Sequence, residues 1–447
     1  MLHEAAFRQV LQVFPMIEAG KGTPQLLRSS NARRVIAAGA IGNVLEWYDF
    51  AIYGYFAAAI GRAFFPKQDA VAQILSAFGI FAVGYLMRPV GGALVGHIGD
   101  NFGRRAALTF SVTAMAVPTF LVGVLPGYAS LGVVAPIVLT LLRMVQGLSV
   151  GGEYTTSVVF MVEHAPPGRR GLIGALACCG AVGGILLGSA TGAILSATVT
   201  AEAMMQWGWR IPFFMGLAVG LAGYFLRRNI QETPRSSEGR SPFVETVRQH
   251  APLLARLAGL AVFNSVGFYL MFVYIVSWLQ LADGIAPAKA LEINTTSMIV
   301  LLPVMVLMGS LSDRIGRRPM LFAATALGFV GAVPFFWLMH HTHAGLVLLG
   351  QLGFVVAVGM FLGTQPSIMV EAVPARIRCT AVALGYNATL GIIGGLSPLV
   401  ATWLVQRTEN ELSPAFMVMA AAAISFLAAL KFEESNKAAL EMAPVAA

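Results

Sequence analysis

The chain is a succession of long apolar runs separated by short polar segments. A helix that crosses a bilayer needs about 20 mostly apolar residues, and its backbone hydrogen bonds are satisfied within the helix itself. Only 11% of the 447 residues are charged, which leaves too little polar surface for a soluble enzyme of this size. We therefore predict an all-α membrane protein with twelve transmembrane helices, at 35–60, 71–95, 106–125, 133–162, 171–197, 210–227, 256–280, 292–310, 319–339, 346–370, 380–405 and 414–431.

The net charge of +8 would suggest a nucleic-acid partner in a soluble protein, but in a membrane protein it reflects an excess of cytoplasmic Lys and Arg, so we expect no nucleic-acid partner. Lys and Arg accumulate in the cytoplasmic loops of membrane proteins. When both termini are placed in the cytoplasm, most of the 29 Lys and Arg residues fall on the cytoplasmic side. We expect a multi-pass protein of the cell inner membrane with both termini in the cytoplasm.

A long polar segment divides the chain near its middle. The segment from Arg227 to Arg256 contains Pro234, Gly239 and several arginines, a composition typical of a linker. We predict an N-terminal extension, a six-helix bundle, a cytoplasmic linker, a second six-helix bundle and a cytoplasmic tail, at 1–32, 33–228, 229–255, 256–431 and 432–447.

Two short patterns occur once in each half. Gly-x-x-x-Asp-x-x-Gly-Arg-Arg is found at 96–105 and again at 309–318, and Glu-x-x-Pro-x-x-x-Arg is found at 163–170 and again at 371–378. Each half therefore carries the same two loops in the same order. Parallel repeats of this kind predict two pseudo-symmetric bundles related by an axis along the membrane normal.

The first of these patterns resembles the hallmark loop of the major facilitator superfamily. The chain resembles that superfamily over nearly all of residues 33–431. Four further segments look like the metabolite:proton symporter family within it, at 42–50, 88–92, 146–154 and 207–213. The segments most similar to the proline/betaine branch are 147–154, 232–234 and 395–398. The resemblance implies the major facilitator fold and a transporter, not an enzyme.

The resemblance also implies a substrate class. Known members of the family import proline, glycine betaine, shikimate, 2-oxoglutarate and citrate. Our first expectation is proton symport of a zwitterion such as proline or glycine betaine, by alternating access. A symporter of a small di- or tricarboxylate or of shikimate is the alternative, and a membrane sensor without transport is a remote one. We expect a monomer in the lipid bilayer that binds its substrate and protons and needs no cofactor.

Two features depart from the family pattern. Asn101 occupies a loop position that is usually basic, as Arg314 is in the second copy. Osmosensory members of the family often end in a long coiled coil, whereas 432–447 contains no heptad pattern. Osmotic activation is therefore not part of the prediction.

Five ionisable residues lie at membrane depth, away from the ends of the predicted spans, and all are in the first half: Glu46, Asp49, Arg88, Arg143 and Glu153. A charge at the bilayer centre costs about 2.5–3.5 kcal/mol on insertion scales, so these side chains should face the bundle interior and bind each other or a ligand. We predict that one of the three carboxylates binds the coupled proton, with Glu153 the first candidate. Static ion pairs between helices are the alternative.

Neutral and aromatic residues complete the predicted proton-coupling and substrate pathway: Asn43, Tyr53, Gln146, Tyr269, Gln365 and Asn387. The repeated loops imply a cytoplasmic gate, with positive-inside anchoring as the alternative role. Its predicted members are Asp100, Arg104, Arg105, Glu163, Arg170, Asp313, Arg314, Arg317, Arg318, Glu371 and Arg378. We predict no metal site, since His340, His341 and His343 lie in a loop without acidic or thiol neighbours in the sequence.

Overall fold

A computed structural model describes residues 43–44, 46–67, 69–92, 94, 104–151, 153–163, 165–227 and 242–437. This part of the chain forms twelve long helical segments and contains no β-strand. The prediction of an all-α, twelve-helix protein is confirmed. The predicted extension 1–32, the first linker residues 229–241 and the last tail residues lie outside the described ranges.

The first half contains six of these segments. They are α1 (46–55 and Ala57–Phe64), α2 (Ala70–Gly92), α3 (Arg104–Val124), α4 (Val134–Ser149 and Glu153–Glu163), α5 (Arg170–Thr198) and α6 (Ile211–Arg227).

The second half contains the other six. They are α7 (Ala251–Ala282), α8 (Pro287–Ile315), α9 (Arg317–Met339), α10 (Ala344–Glu371), α11 (378–408) and α12 (Ser413–Ala429). A short helix, Pro242–Gln249, lies within the predicted linker, and α7 begins before the predicted start at 256.

Most of these helices are long and apolar enough to cross a membrane. Seven meet this description among the described residues, and Thr109–Val124, Val134–Ser149 and Ser413–Ala429 are shorter apolar helices. Apolar side chains on their outer faces, such as Val330 and Leu427, are exposed. Such faces suit contact with lipid tails, which are as apolar as these side chains.

Several of the described helices depart from regular α geometry. The predicted span 133–162 is divided in α4, where Val150 and Gly151 are not helical. A Cβ on Gly151 would collide with the backbone of Gly92, so this close approach of α4 to α2 requires glycine. Single π-helical turns interrupt α7 at Leu270–Tyr274 and α11 at Leu390–Gly394.

The two halves meet along two pairs of helices. α5 packs along α8, and α2 packs along α11. The repeat exchanges these two pairs, because the second and fifth helices of one half correspond to the eighth and eleventh of the chain. Buried side chains from both halves belong to one continuous apolar core.

Candidate functional site

One face of α1 carries the charged residues of the site. Glu46, Asp49 and Tyr53 are spaced three and four residues apart, so they project from the same side of the helix. All three side chains are buried. Each acid meets an arginine from a different helix, which brings α2 and α4 against α1.

Asp49 and Arg143 form a closed ion pair within the first half. Neither residue is exposed, and Arg143 Nη1 lies 2.6 Å from Asp49 Oδ2. The Thr119 hydroxyl and Gln146 Nε2 donate hydrogen bonds of 2.6 and 2.8 Å to Asp49 Oδ1. The ring of Tyr53 lies 4.4 Å from the Arg143 guanidinium carbon. A buried carboxylate with this many donors is well compensated for its loss of water.

Arg88 forms a looser pair at the boundary between the halves. Its Nη2 atom lies 3.3 Å from Glu46 Oε1 and donates to Asn387 Oδ1 of α11, also at 3.3 Å. Asn387 in turn donates to the Gly151 carbonyl at 3.1 Å. Within the described part of the chain, Arg88 Nε and Nη1 are buried and have no hydrogen-bond partner. N–H donors of a cationic group that lack a partner can bind an anionic group.

Aromatic rings surround this arginine. The Arg88 guanidinium carbon lies 5.8 Å from the Trp47 ring and 5.3 Å from the Tyr85 ring. Trp47 stacks on Tyr269 with ring centroids 6.3 Å apart, and the Tyr85 and Tyr269 hydroxyls are hydrogen bonded across the halves. Tyr154 continues the aromatic wall at 6.2 Å from Trp47. Ring faces of this kind attract cations.

Gln365 lies beside this wall and faces a small cavity. Its side chain is buried, and its Nε2 atom has no hydrogen-bond partner among the described residues. Tyr154 and Tyr386 line the same cavity. The cavity therefore combines an amide donor with aromatic faces from both halves.

The structure brings together most of the predicted pathway residues. Asn43 is also buried, near the start of the described part of α1. Glu153 begins the second part of α4, but its side chain lies outside the described part of the chain. Thr119 was not among the predicted residues, because it is an isolated threonine in an apolar helix and belongs to no motif. Arg143 is fully buried.

A second group, which we call the Asp313 cluster, links the halves at one end of the bundle. Asp313 of α8 accepts hydrogen bonds from the backbone N–H groups of Gly171 and Leu172, at 2.7 and 3.0 Å. These N–H groups belong to the first turn of α5, where they have no partner within the helix. The carboxylate therefore caps a helix of the other half, and the helix dipole favours its charge.

Two further acids, Glu371 of the second half and Glu163 of the first, form ion pairs with arginines of the opposite half. Glu371 Oε1 lies 3.2 Å from Arg170 of the first half and 3.1 Å from Arg317. Glu163 of the first half lies 2.6 Å from Arg378 Nη1 of the second. The two Glu-x-x-Pro-x-x-x-Arg segments thus exchange ion pairs across the interface, as their repetition suggests.

The chain after α12 also joins the Asp313 cluster, which the sequence did not indicate. Glu434 accepts hydrogen bonds from the backbone N–H groups of Arg317 and Arg318, at 2.7 and 3.0 Å. Ser435 donates to Glu371 Oε2 at 2.6 Å. Gly316 has a φ of 121°, and its missing Cβ leaves room for the Glu434 carboxylate.

The side chains of two further predicted gate residues, Arg314 and Arg318, are not part of this cluster. Arg314 is exposed, and the guanidinium carbon of Arg318 lies 5.5 Å from the Phe322 ring. Arg104 and Arg105 begin α3, but their side chains lie outside the described part of the chain. Asp100 lies outside it entirely.

The histidines after α9 have acidic neighbours, contrary to the expectation from the sequence. His340 Nδ1 lies 2.7 Å from Asp283 Oδ1, because the chain after α7 folds back against this loop. Burial raises the pKa of the Asp283 carboxyl, and His340 opposes that shift. No group of three or more potential metal ligands occurs among the described residues.

Family models match both halves of the chain. The model described as sugar (and other) transporter matches residues 35–240, and the Major Facilitator Superfamily model matches residues 284–441. Two solved structures share the fold. A D-xylose-proton symporter has a TM-score of 0.73 at 20% identity, with 91% of this chain and 99% of that chain covered. The proton:xylose symporter XylE bound to 6-bromo-6-deoxy-D-glucose has a TM-score of 0.72 at 18% identity, with coverage of 92% and 98%.

Curated relatives are more similar in sequence. The proline/betaine transporter of Salmonella typhimurium is 34% identical over 95% of this chain and 88% of its own length. The glycine betaine/proline/ectoine/pipecolic acid transporter OusA of Dickeya dadantii is 35% identical, with coverage of 94% and 87%. The proline/betaine transporter of Escherichia coli K12 is 33% identical over 94% and 87%. The chain is a multi-pass membrane transporter that belongs to the major facilitator superfamily and, within it, to the family of the proline/betaine transporters.

Proposed function

We propose that this protein imports a small zwitterion, first of all proline or glycine betaine, by proton symport and alternating access. The names of the relatives support the substrate class, and the names of the structural neighbours support proton symport. The observation that carries the proposal is Arg88, a buried arginine at the boundary between the halves that has two donors without a partner among the described residues and two aromatic rings within about 6 Å.

The chemistry around Arg88 suits a molecule with one carboxylate and one ammonium group. The carboxylate binds Arg88 Nε and Nη1, and the ammonium lies against Trp47 and Tyr269 by cation–π attraction. A di- or tricarboxylate needs a second cation, whereas the aromatic rings beside Arg88 suit an ammonium group. Arg143, the other buried arginine of this site, is paired with Asp49, and its Nε and Nη2 atoms have no hydrogen-bond partner among the described residues. The zwitterion therefore fits better than citrate or 2-oxoglutarate, which remain the alternative.

The coupled proton binds one of Glu46, Asp49 and Glu153, and Glu46 is now the first candidate. Its contact with Arg88 is 3.3 Å long, whereas Asp49 and Arg143 lie 2.6 Å apart. The substrate carboxylate competes with Glu46 for Arg88. A proton on Glu46 weakens that competition, so proton and substrate binding favour each other.

The Asp313 cluster serves as the cytoplasmic gate, in a monomer of the inner membrane whose two termini face the cytoplasm. Its bonds join α5 to α8 and Glu163 to Arg378, so they must break before the halves can separate at this end. The surplus of Lys and Arg in the loops on this side supports the orientation. Positive-inside anchoring of the loops, the alternative role, does not explain why Asp313 of the second half caps α5 of the first half.

Uptake of labelled proline and glycine betaine, in a bacterial strain without transporters for them, tests the proposal. We expect saturable uptake that a protonophore abolishes and that excess citrate, 2-oxoglutarate or shikimate does not inhibit. Arg88→Gln should abolish uptake at unchanged membrane levels. Lys289→Gln removes the same charge from an exposed position and should transport normally. If excess citrate inhibited the uptake of labelled proline and excess betaine did not, a di- or tricarboxylate would replace the zwitterion as the preferred substrate class.

A further inference from the structure

A network of neutral side chains joins the halves at the end of the bundle opposite to the Asp313 cluster. We call it the Asn294 network. Its members in the first half are Tyr55 and Ser189, and its members in the second half are Asn294, Thr295, Gln351 and the backbone carbonyls of Met271 and Phe272.

The hydrogen bonds of this network cross between the halves. Tyr55 donates to the Phe272 carbonyl at 2.7 Å, and Asn294 Nδ2 donates to the Tyr55 hydroxyl at 3.1 Å. Asn294 Nδ2 also lies 3.1 Å from the Ser189 hydroxyl, which is hydrogen bonded to Thr295. Gln351 Nε2 donates to Asn294 Oδ1 at 3.0 Å and so holds the central amide in place. Asn294 and Gln351 are completely buried.

The position of the network is fixed by the helices that carry it. Asn294 and Asp313 lie on the same helix, and Gln351 and Glu371 lie on another. At a rise of about 1.5 Å per residue, each pair is separated by about 30 Å. The substrate pathway around Arg88 therefore lies between two layers of hydrogen bonds that both cross the interface.

The π-helical turn of α7 supplies part of this layer. Met271 and Phe272 lie within it, and both of their carbonyls accept side-chain hydrogen bonds, from Gln351 at 3.0 Å and from Tyr55. Such single turns loosen the regular α-helical ladder and are frequent at functional sites. Here the turn presents backbone acceptors to the opposite half.

We propose that the Asn294 network is the outer gate of the carrier, with Tyr55 and Asn294 as the residues that position the closed state. The inference rests on the proposed transport by alternating access, which requires closure at both ends. A gate made of neutral groups opens without leaving an unpaired buried charge, unlike the Asp313 cluster. Water can replace each of its bonds once the seam between α5 and α8 parts.

The removal of one hydroxyl tests this role. Tyr55→Phe deletes the two hydrogen bonds that the Tyr55 hydroxyl makes with Phe272 and Asn294 of the second half, and it keeps the ring. Tyr48→Phe is the matched control, because the Tyr48 hydroxyl donates to the Pro212 carbonyl at 2.8 Å within the first half. The reporter is a cysteine at Leu291, a buried residue of α8 one turn beyond Asn294 that lies near Gly192 of α5. Its reaction with a membrane-impermeant maleimide is followed on right-side-out and inside-out vesicles, against the parent chain without Leu291→Cys.

We expect Tyr55→Phe to raise the labelling rate from outside by about five- to 150-fold, because two hydrogen bonds between the halves are lost, while Tyr48→Phe leaves it unchanged. Equal rates in the two variants would overturn the gate. The labelling reaction needs no substrate, so this test of the outer gate is valid whether or not the protein transports betaine. An increase seen only in inside-out vesicles would refute the assignment to the outer face and, with it, the proposed orientation.

Discussion

Asp313→Asn should open the Asp313 cluster without unfolding the protein. The Asp313 carboxylate accepts the N–H groups of Gly171 and Leu172, one on each oxygen. An asparagine keeps one acceptor and places an N–H₂ group against the other donor, so at least one of these bonds is lost. The negative charge at the first turn of α5 is lost as well.

The size of this effect on the closed state follows from the hydrogen bonds that Asp313→Asn removes. A hydrogen bond to a charged group contributes about 1.5–3 kcal/mol, so the closed state should weaken by about 2–3 kcal/mol. Since about 1.4 kcal/mol corresponds to a factor of ten, the equilibrium should move toward the open state about 30- to 150-fold. A change of that size populates one state of the cycle at the expense of the other.

Initial rates of betaine uptake measure the consequence, normalised to the amount of protein in the membrane fraction. We expect a reduction of at least tenfold at an unchanged amount of inserted protein. Glu292→Gln is the matched acid-to-amide control, because the Glu292 carboxylate is exposed and lies 2.8 Å from Lys289 Nζ of the same helix. Wild-type uptake by correctly inserted Asp313→Asn would refute the gate. The corresponding change at Asp100 should reduce uptake no more, because Asn101 already departs from the motif.

Three further predictions concern coupling, orientation and packing. Among Glu46→Gln, Asp49→Asn and Glu153→Gln, at least one should lose protonophore-sensitive accumulation while substrate exchange continues. If all three accumulate substrate normally, proton coupling through these acids is wrong, and exchanging the sodium gradient is the next test. A cysteine at His341 should react from outside and terminal tags only from the cytoplasm; an externally accessible C-terminal tag would contradict twelve spans. Gly309→Leu should hold the cytoplasmic end open and stop uptake, because even a Cβ there would lie 2.6 Å from a backbone oxygen of α5; normal uptake by this variant would show that the contact is dispensable.

The features that a sequence reveals most readily are periodic, charged or repeated. Hydropathy predicted the twelve helices, and the cost of burying charge predicted that Glu46 and Asp49 would meet arginines. The repeat predicted that Glu163 and Arg378 belong to one cluster. Each of these inferences depends on a strong energetic term that acts through a few residues.

Other parts of the site depend on contacts between distant segments. Tyr55 and Asn294 are neutral and belong to no motif, and nothing in their local sequence indicates that α1 and α8 meet there. Glu434 was assigned to a tail because no apolar run follows it, yet it caps α9. The break in α4 lies where Gly151 contacts Gly92, and two glycines in separate helices do not by themselves predict that contact.

The π-helical turn in α7 also sets the rotational register of everything that follows it in the helix. Each residue of an α-helix turns the chain by about 100°. If one residue were removed from Leu270–Tyr274 and the helix became regular, the segment Ile275–Ala282 would rotate by about that angle. Trp278, whose indole now donates to the Glu411 carbonyl at 3.0 Å, would then face a different neighbour. A single inserted residue thus decides which face of the last two turns of α7 points toward the protein interior and which points toward lipid.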